Sequence, residues 1–206
     1  MEACTIPSGR EGGRKTDVRQ HAVWIVVLAG FSVSCRPSAA DLPAYRTVPA
    51  FTLTAHTGEE FDSSKQLTGR IWVADFIFTS CTGPCPRMSA RMRRLQDDLS
   101  DLPEVRFVSF TVDPDRDTPE VLAAYARRYQ AKANRWWFLT GPIDRLDDLN
   151  RSAFALGDVK GNLDHSTRFV LVDRRGVIRG YYLSSDNQAM EKIEADIRSL
   201  AVEASE

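Results

Sequence analysis

The residues with the most chemical content are Cys81 and Cys85, in the run Cys81-Thr82-Gly83-Pro84-Cys85-Pro86. Thiolate rather than thiol binds soft metals and attacks disulfides, and a helix amino terminus, with its unpaired N–H groups and partial positive charge, favours thiolate. Pro86 suits a first helical turn, and Gly83-Pro84 tightens the loop so that both sulfurs can face one point. Two sulfurs alone make a weak metal site, so a third donor is sought among the three histidines, His21, His56 and His165. His21 lies in the leading segment, His56 in a turn, and His165 ends an irregular loop about eighty residues after the cysteines. By spacing alone, His165 is either an ordinary surface or core residue or that missing donor. The other cysteines, Cys4 and Cys35, lie far upstream, so four cysteines do not imply two disulfides.

The elements that must position the pair alternate between two periodicities. Phe51 to Thr54 and Glu60 to Phe61 flank His56-Thr57-Gly58 as a β-hairpin. Ile71 to Phe78 is a near-continuous apolar run of strand length, as expected of a strand buried on both faces. Beyond the cysteine loop, Met88, Met92, Leu95, Leu99 and Leu102 recur at helical spacing. A strand over Val105 to Val112 follows, then a helix opened by Thr118 as cap and Pro119 in the first turn, with Val121, Leu122, Tyr125 and Tyr129 on its apolar face. Trp136 to Thr140 reads as a strand, Pro142 to Phe154 as a helix and Gly157 to His165 as a loop. Thr167 to Asp173 and Val177 to Leu183 form a hairpin around Arg174-Arg175-Gly176, and Met190, Ile193, Ile197 and Leu200 mark a closing helix. This order describes an α/β thioredoxin-like three-layer sandwich with an N-terminal β-hairpin extension. The cysteine loop joins the carboxyl end of a central strand to a helix start, where such folds place their sites. In that fold the last loop, with His165, comes back beside the cysteine helix. Three residues rather than two between the cysteines depart from the thioredoxin motif.

The leader carries Arg10, Arg14, Lys15 and Arg19 ahead of an apolar run from Ala22 to Ser34 that ends at Cys35. That order is an export signal, its thirteen residues too few for the roughly 18 or more of a membrane span. Two processing outcomes are open. Cys35 receives a lipid and becomes the first mature residue, although Ser32 stands where an aliphatic residue is usual, or cleavage falls near Ala40 after Ser38-Ala39. The chain therefore divides into an export signal over 1–35, a tether over 36–48 and a folded domain over 49–201. The domain works outside the cytoplasm, where thiols oxidise unless kept reduced.

Four ordered motifs carry a resemblance to a known family. They are Cys81-x-x-x-Cys85-Pro86 after an apolar strand, Asp113-Pro114-Asp115-Arg116-Asp117-Thr118-Pro119, Trp137-Phe138-Leu139-Thr140-Gly141, and Asp164-His165-Ser166-Thr167 before Phe169-Val170-Leu171-Val172-Asp173. In this order, over roughly residues 45 to 200, the chain resembles the Sco/SenC family of copper-binding, thioredoxin-like proteins of cytochrome c oxidase assembly. The resemblance implies that Cys81, Cys85 and His165 are copper ligands and that the destination is the dinuclear copper site of the oxidase, whose copper-bearing subunit is the partner. It also implies an upstream copper donor and a thiol reductant, whereas the membrane surface is expected from the amino-terminal segment itself, through lipidated Cys35 or an uncleaved leader that takes the place of the amino-terminal span many relatives keep. Two thiolates and an imidazole suit Cu(I) and can hold Cu(II), whereas Zn(II) normally takes a fourth ligand. The competing reading is a thiol-disulfide oxidoreductase that uses the Cys81/Cys85 pair without metal.

Other signals point elsewhere. A net charge of −1, from 27 Lys+Arg against 28 Asp+Glu, lacks the basic excess of a nucleic-acid binder. With 43% hydrophobic and 27% charged residues, the chain is neither disordered nor a multi-span membrane protein. Asp113, Asp115 and Asp117 mimic the start of a calcium loop, but Thr118 and Ala124 replace its glycine and glutamate, so a turn is expected there. Met88 and Met92 are expected in the core. Arg87, Arg91 and Arg94 share a helix face, either solvated or a patch for an acidic partner.

Overall fold

The computed structural model describes residues 42–156 and 167–202. Cys4, His21, Cys35 and His165, and with them the export signal and the loop from Gly157 to His165, lie outside the described residues. Seven strands form one sheet in the order β2-β1-β5-β4-β3-β6-β7. β1 (Thr52–Ala55) and β2 (Glu60–Asp62) make the expected hairpin. Its turn is closed by Gly58 at φ 83°, a conformation that favours glycine. The centre is parallel, with β3 (Trp72–Ile77), β4 (Arg106–Thr111) and β5 (Trp136–Thr140) side by side. β6 (Arg168–Val172) runs antiparallel to β3, and β7 (Ile178–Leu183) antiparallel to β6.

Alternation along the strands decides which side chains meet which helices. Val73 and Ile77 of β3 face a cluster with Met88 and Met92 of α2 (Pro84–Asp98), Leu122 of α3 (Pro119–Arg128), and Ile193 and Ile197 of α5 (Asn187–Val202). Trp72, Ala74 and Phe76 face the opposite cluster, with Leu146 and Phe154. A short α1 (Ser63–Gln66) follows β2, and α4 (Ile143–Asp148) follows β5. Helices thus cover both faces of a mixed sheet, the thioredoxin-like three-layer architecture. Thr118 caps α3 as expected, accepting from the Val121 amide at 3.5 Å, with Pro119 in the first turn.

Two stretches differ from the sequence reading. The helix expected over Pro142 to Phe154 changes winding at Leu149 and ends as a π-helical turn over Leu149–Ala153, which keeps Leu149, Ala153 and Phe154 on the sheet. The segment expected as tether is not loose from Leu42 onward. The Tyr45 and Val48 amides donate to the carbonyls of Ile178 and Gly176 at 3.0 and 2.8 Å. Arg179 donates to the Leu42 and Pro43 carbonyls at 2.9 and 2.8 Å and pairs with Asp173 at 3.1 Å. Nothing in the local sequence marks this pairing, because its partners lie more than a hundred residues downstream.

The far end of α2 is pinned by Arg135. Its buried guanidinium donates to the carbonyls of Leu99 at 2.5 Å, Leu102 at 3.1 Å and Val105 at 3.4 Å, adding charge-assisted bonds to the turn that follows the helix. Replacing Arg135 with leucine removes three charge-assisted donors from these carbonyls, while Leu99 and Leu102 keep the backbone amides of Leu102 and Val105. The variant should lose about 2–3 kcal/mol of stability, read from the urea midpoint at unchanged slope.

Candidate metal centre

Cys81 and Cys85 lie where β3 hands over to α2. Both are buried thiols, with Cys81 9% and Cys85 0% exposed. Gly83 caps α2 without a side chain, and its amide donates to Cys81 Sγ at 3.4 Å. An N–H directed at sulfur favours electron density there, as a metal-bound thiolate requires. Burial pushes the Cys85 thiol well above the usual cysteine range. A backbone hydrogen bond from Phe78 acts in the opposite direction, while the neighbouring Cys81 sulfur and the Asp75 carboxyl add to the rise. The site therefore holds Cys85 as a thiol in the absence of metal, next to a second sulfur.

Beneath the pair lies a residue that the sequence reading passed over. Asp75 sits in the middle of β3, on the same face as Val73 and Ile77 and hence on the α2 side. It is fully buried, and neither carboxyl oxygen has a hydrogen-bond partner in the structure. Ser109, opposite it on β4, offsets the burial in part, without reaching hydrogen-bond geometry; its hydroxyl accepts from Trp136 Nε1 at 3.0 Å. Desolvation raises the Asp75 pKa from 3.8 to about 7. One carboxylate inside an eight-residue apolar run was the available signal, since such a group is almost never fully buried without a reason.

The acidic turn is resolved in the same way. Of the three aspartates that mimic a calcium loop, only Asp117 is buried, and it binds protein donors. Met88 and Met92 are core residues, 1% and 0% exposed. Arg91 donates to Asn187 Oδ1 at 2.8 Å and Arg94 pairs with Asp98 at 3.5 Å, so two of the three helix arginines have partners within the chain. His56 is half-buried, and its Nδ1 accepts from the Phe138 amide at 3.2 Å, which orients the ring on the hairpin, well away in sequence from the cysteines. Among the described residues no group of three or more His, Cys, Asp or Glu side chains is placed to hold a metal. The structure thus brings Cys81 and Cys85 together, and His165 lies outside the described residues.

A mixed α/β sheet with a dithiol at the head of a helix defines a thioredoxin-like protein whose site suits soft-metal or disulfide chemistry. The SCO1/SenC family model matches residues 39–201, and the chain belongs to that family. A Stutzerimonas stutzeri protein, named for copper binding, is 32% identical over 151 residues, covering 68% of this chain and 71% of its own. A SCO1/SenC family lipoprotein from Bacillus anthracis superposes with a TM-score of 0.68 at 33% identity, over 75% of this chain and 95% of its own. BsSco, described with a disulfide switch and as a member of the Sco family of cytochrome c oxidase assembly proteins, gives a TM-score of 0.68 at 32% identity, over 79% and 96% of the two chains.

Proposed function

We propose that this protein is an extracytoplasmic copper chaperone that carries copper on Cys81, Cys85 and His165 to the dinuclear copper site of cytochrome c oxidase. The observation that carries the reading is the pair of adjacent buried thiols at the start of α2, in a chain of the SCO1/SenC family. Two thiolates and one imidazole are a soft, low-coordinate donor set, the kind that selects Cu(I). Copper here is cargo, and taking it up requires release of the Cys85 proton. The copper-binding relative from Stutzerimonas stutzeri supports the metal, and BsSco, of the Sco family of cytochrome c oxidase assembly proteins, supports the oxidase.

The amino-terminal charge order and Cys35 support export and a lipid anchor, in keeping with the lipoprotein relative. No described helix is long and apolar enough to cross a membrane.

A second role rests on the same pair. Cys81, the less buried of the two residues, attacks a target disulfide, and Cys85 then displaces the target thiol by closing the intramolecular disulfide. One substitution separates the roles. In the full chain, reduced and loaded with Cu(I), His165→Ala should cut copper retained against a Cu(I)-selective chelator at least tenfold, while reduction of a model disulfide stays within twofold of the parent. Undiminished copper retention would overturn His165 as a ligand.

A further inference from the structure

We propose that Asp117 is a positioning residue for the cysteine pair, a clamp that sets the geometry of the segment between β3 and Cys81. The clamp rests on the reading of Cys81 and Cys85 as the reactive pair and adds a residue that acts on them through Thr79. Asp117 is fully buried. Its Oδ2 accepts from the Thr79 amide at 3.1 Å and from Thr111 Oγ1 at 2.5 Å, and its Oδ1 accepts from Thr79 Oγ1 at 2.5 Å. Thr111 ends β4, and its hydroxyl accepts in turn from the Asp113 amide at 3.0 Å. The Asp117 amide donates to the Asp113 carbonyl at 2.9 Å. One buried carboxylate therefore ties together the end of β4, the turn before α3 and the first residues after β3.

Thr79 matters because of its neighbours. Phe78, immediately before it, makes the backbone hydrogen bond that favours the Cys85 thiolate, and the Cys81 amide donates to the Phe78 carbonyl at 3.3 Å. The short segment 78–81 thus contacts one sulfur through its backbone and carries the other. Asp117 holds that segment at its middle, by both a backbone and a side-chain donor. Fixing Thr79 fixes the direction of the Phe78 N–H and the position of Cys81, and with them the ease with which the two sulfurs can be brought to bonding distance. Charge-assisted hydrogen bonds to a carboxylate are strong enough to impose such a geometry. A disulfide in turn tolerates little deviation in the separation of its half-cystines.

The readout is the dithiol–disulfide equilibrium of the copper-free full chain in glutathione buffers. Closing the disulfide removes two electrons and two protons from Cys81 and Cys85, and oxidised glutathione takes them up to leave as two reduced molecules. Trypsin releases Ile71–Arg87, which contains Cys81 and Cys85 and neither of the other cysteines, so alkylation and mass measurement of that peptide report this pair alone. Thr79→Val and Asp117→Asn should each shift the equilibrium constant at least fivefold, and Thr79→Ser, which keeps the hydroxyl, should stay within twofold of the parent. A merely structural role would lower the melting temperature and leave the constant where it was. The clamp is overturned if Thr79→Val folds and stays within twofold of the parent, or if Thr79→Ser shifts as far as Thr79→Val. Should Asp117→Asn fail to fold, the two Thr79 variants decide. Because no copper is present, a chain that fails to bind copper leaves this test standing, and a null result here leaves the copper reading standing.

Discussion

Cys85→Ser should reduce copper retained by the full chain from one equivalent to a trace, a loss of more than about 100-fold in affinity, beyond the 10–100-fold that removing an outer-shell contact costs. The side chain is 0% exposed, so no solvent ligand replaces the lost sulfur without opening the site. A serine hydroxyl is hard, neutral and a poor donor for Cu(I). The fold should survive. Serine is smaller than cysteine, and the Phe78 backbone group that now serves the Cys85 sulfur is placed to pair with the new oxygen, leaving a cost of about 1–2 kcal/mol for a hydroxyl in an apolar site. Met92→Leu is the matched control. Met92 is equally buried on the same helix, a volume-conserving swap should cost less than about 1.5 kcal/mol, and copper retention should not change. A full equivalent held by Cys85→Ser, or a comparable loss in Met92→Leu, would remove Cys85 from the ligand set.

The cysteine pair was legible in the sequence because every feature that places it is local. An apolar run, a loop with Gly83 and Pro84, and helical spacing from Met88 suffice to put two sulfurs between a central strand and a helix. The contacts that tune the pair are of another kind. Asp117 reaches Thr79 across 38 residues, because β4 lies beside β3 in the sheet and returns the acidic turn to the strand end. In sequence that turn only imitates a calcium loop. Residues 42–48 have no periodicity of their own, and their order comes from β7 and Arg179, which appear in the chain long afterwards. The alternation of β3 does assign Asp75 to the helix-covered face. A reading that scores Ile71 to Phe78 as one apolar run averages it away. His165 entered through motif order and topology, and its side-chain position lies outside the described residues.

Asp75 is the residue whose removal should most change the pH dependence of stability. Its pKa is about 7 in the folded protein against 3.8 for an ordinary aspartate. Between those values the native state keeps a proton that the unfolded chain has released, so stability falls as pH rises through the window. The protonated form's contribution is fully present below about pH 4 and is lost above about pH 7. A rise of about three units corresponds to about 4 kcal/mol, large beside the 5–15 kcal/mol that holds a typical domain together. Asp75→Asn cannot ionise, so its urea midpoint should stay level between pH 5 and pH 8 while that of the parent falls. At pH 5 the parent has already lost about a third of that contribution, which the variant escapes, but the variant bears the cost of a buried amide with few partners, about 1–3 kcal/mol. At pH 8 it should be the more stable of the two. The same change removes one of the causes that lift the Cys85 thiol, so alkylation of Cys85 at pH 8 should be faster in the variant. Parallel stability profiles for the two proteins would show that the Asp75 carboxyl is solvated or paired in solution, and the faster alkylation would then be absent as well.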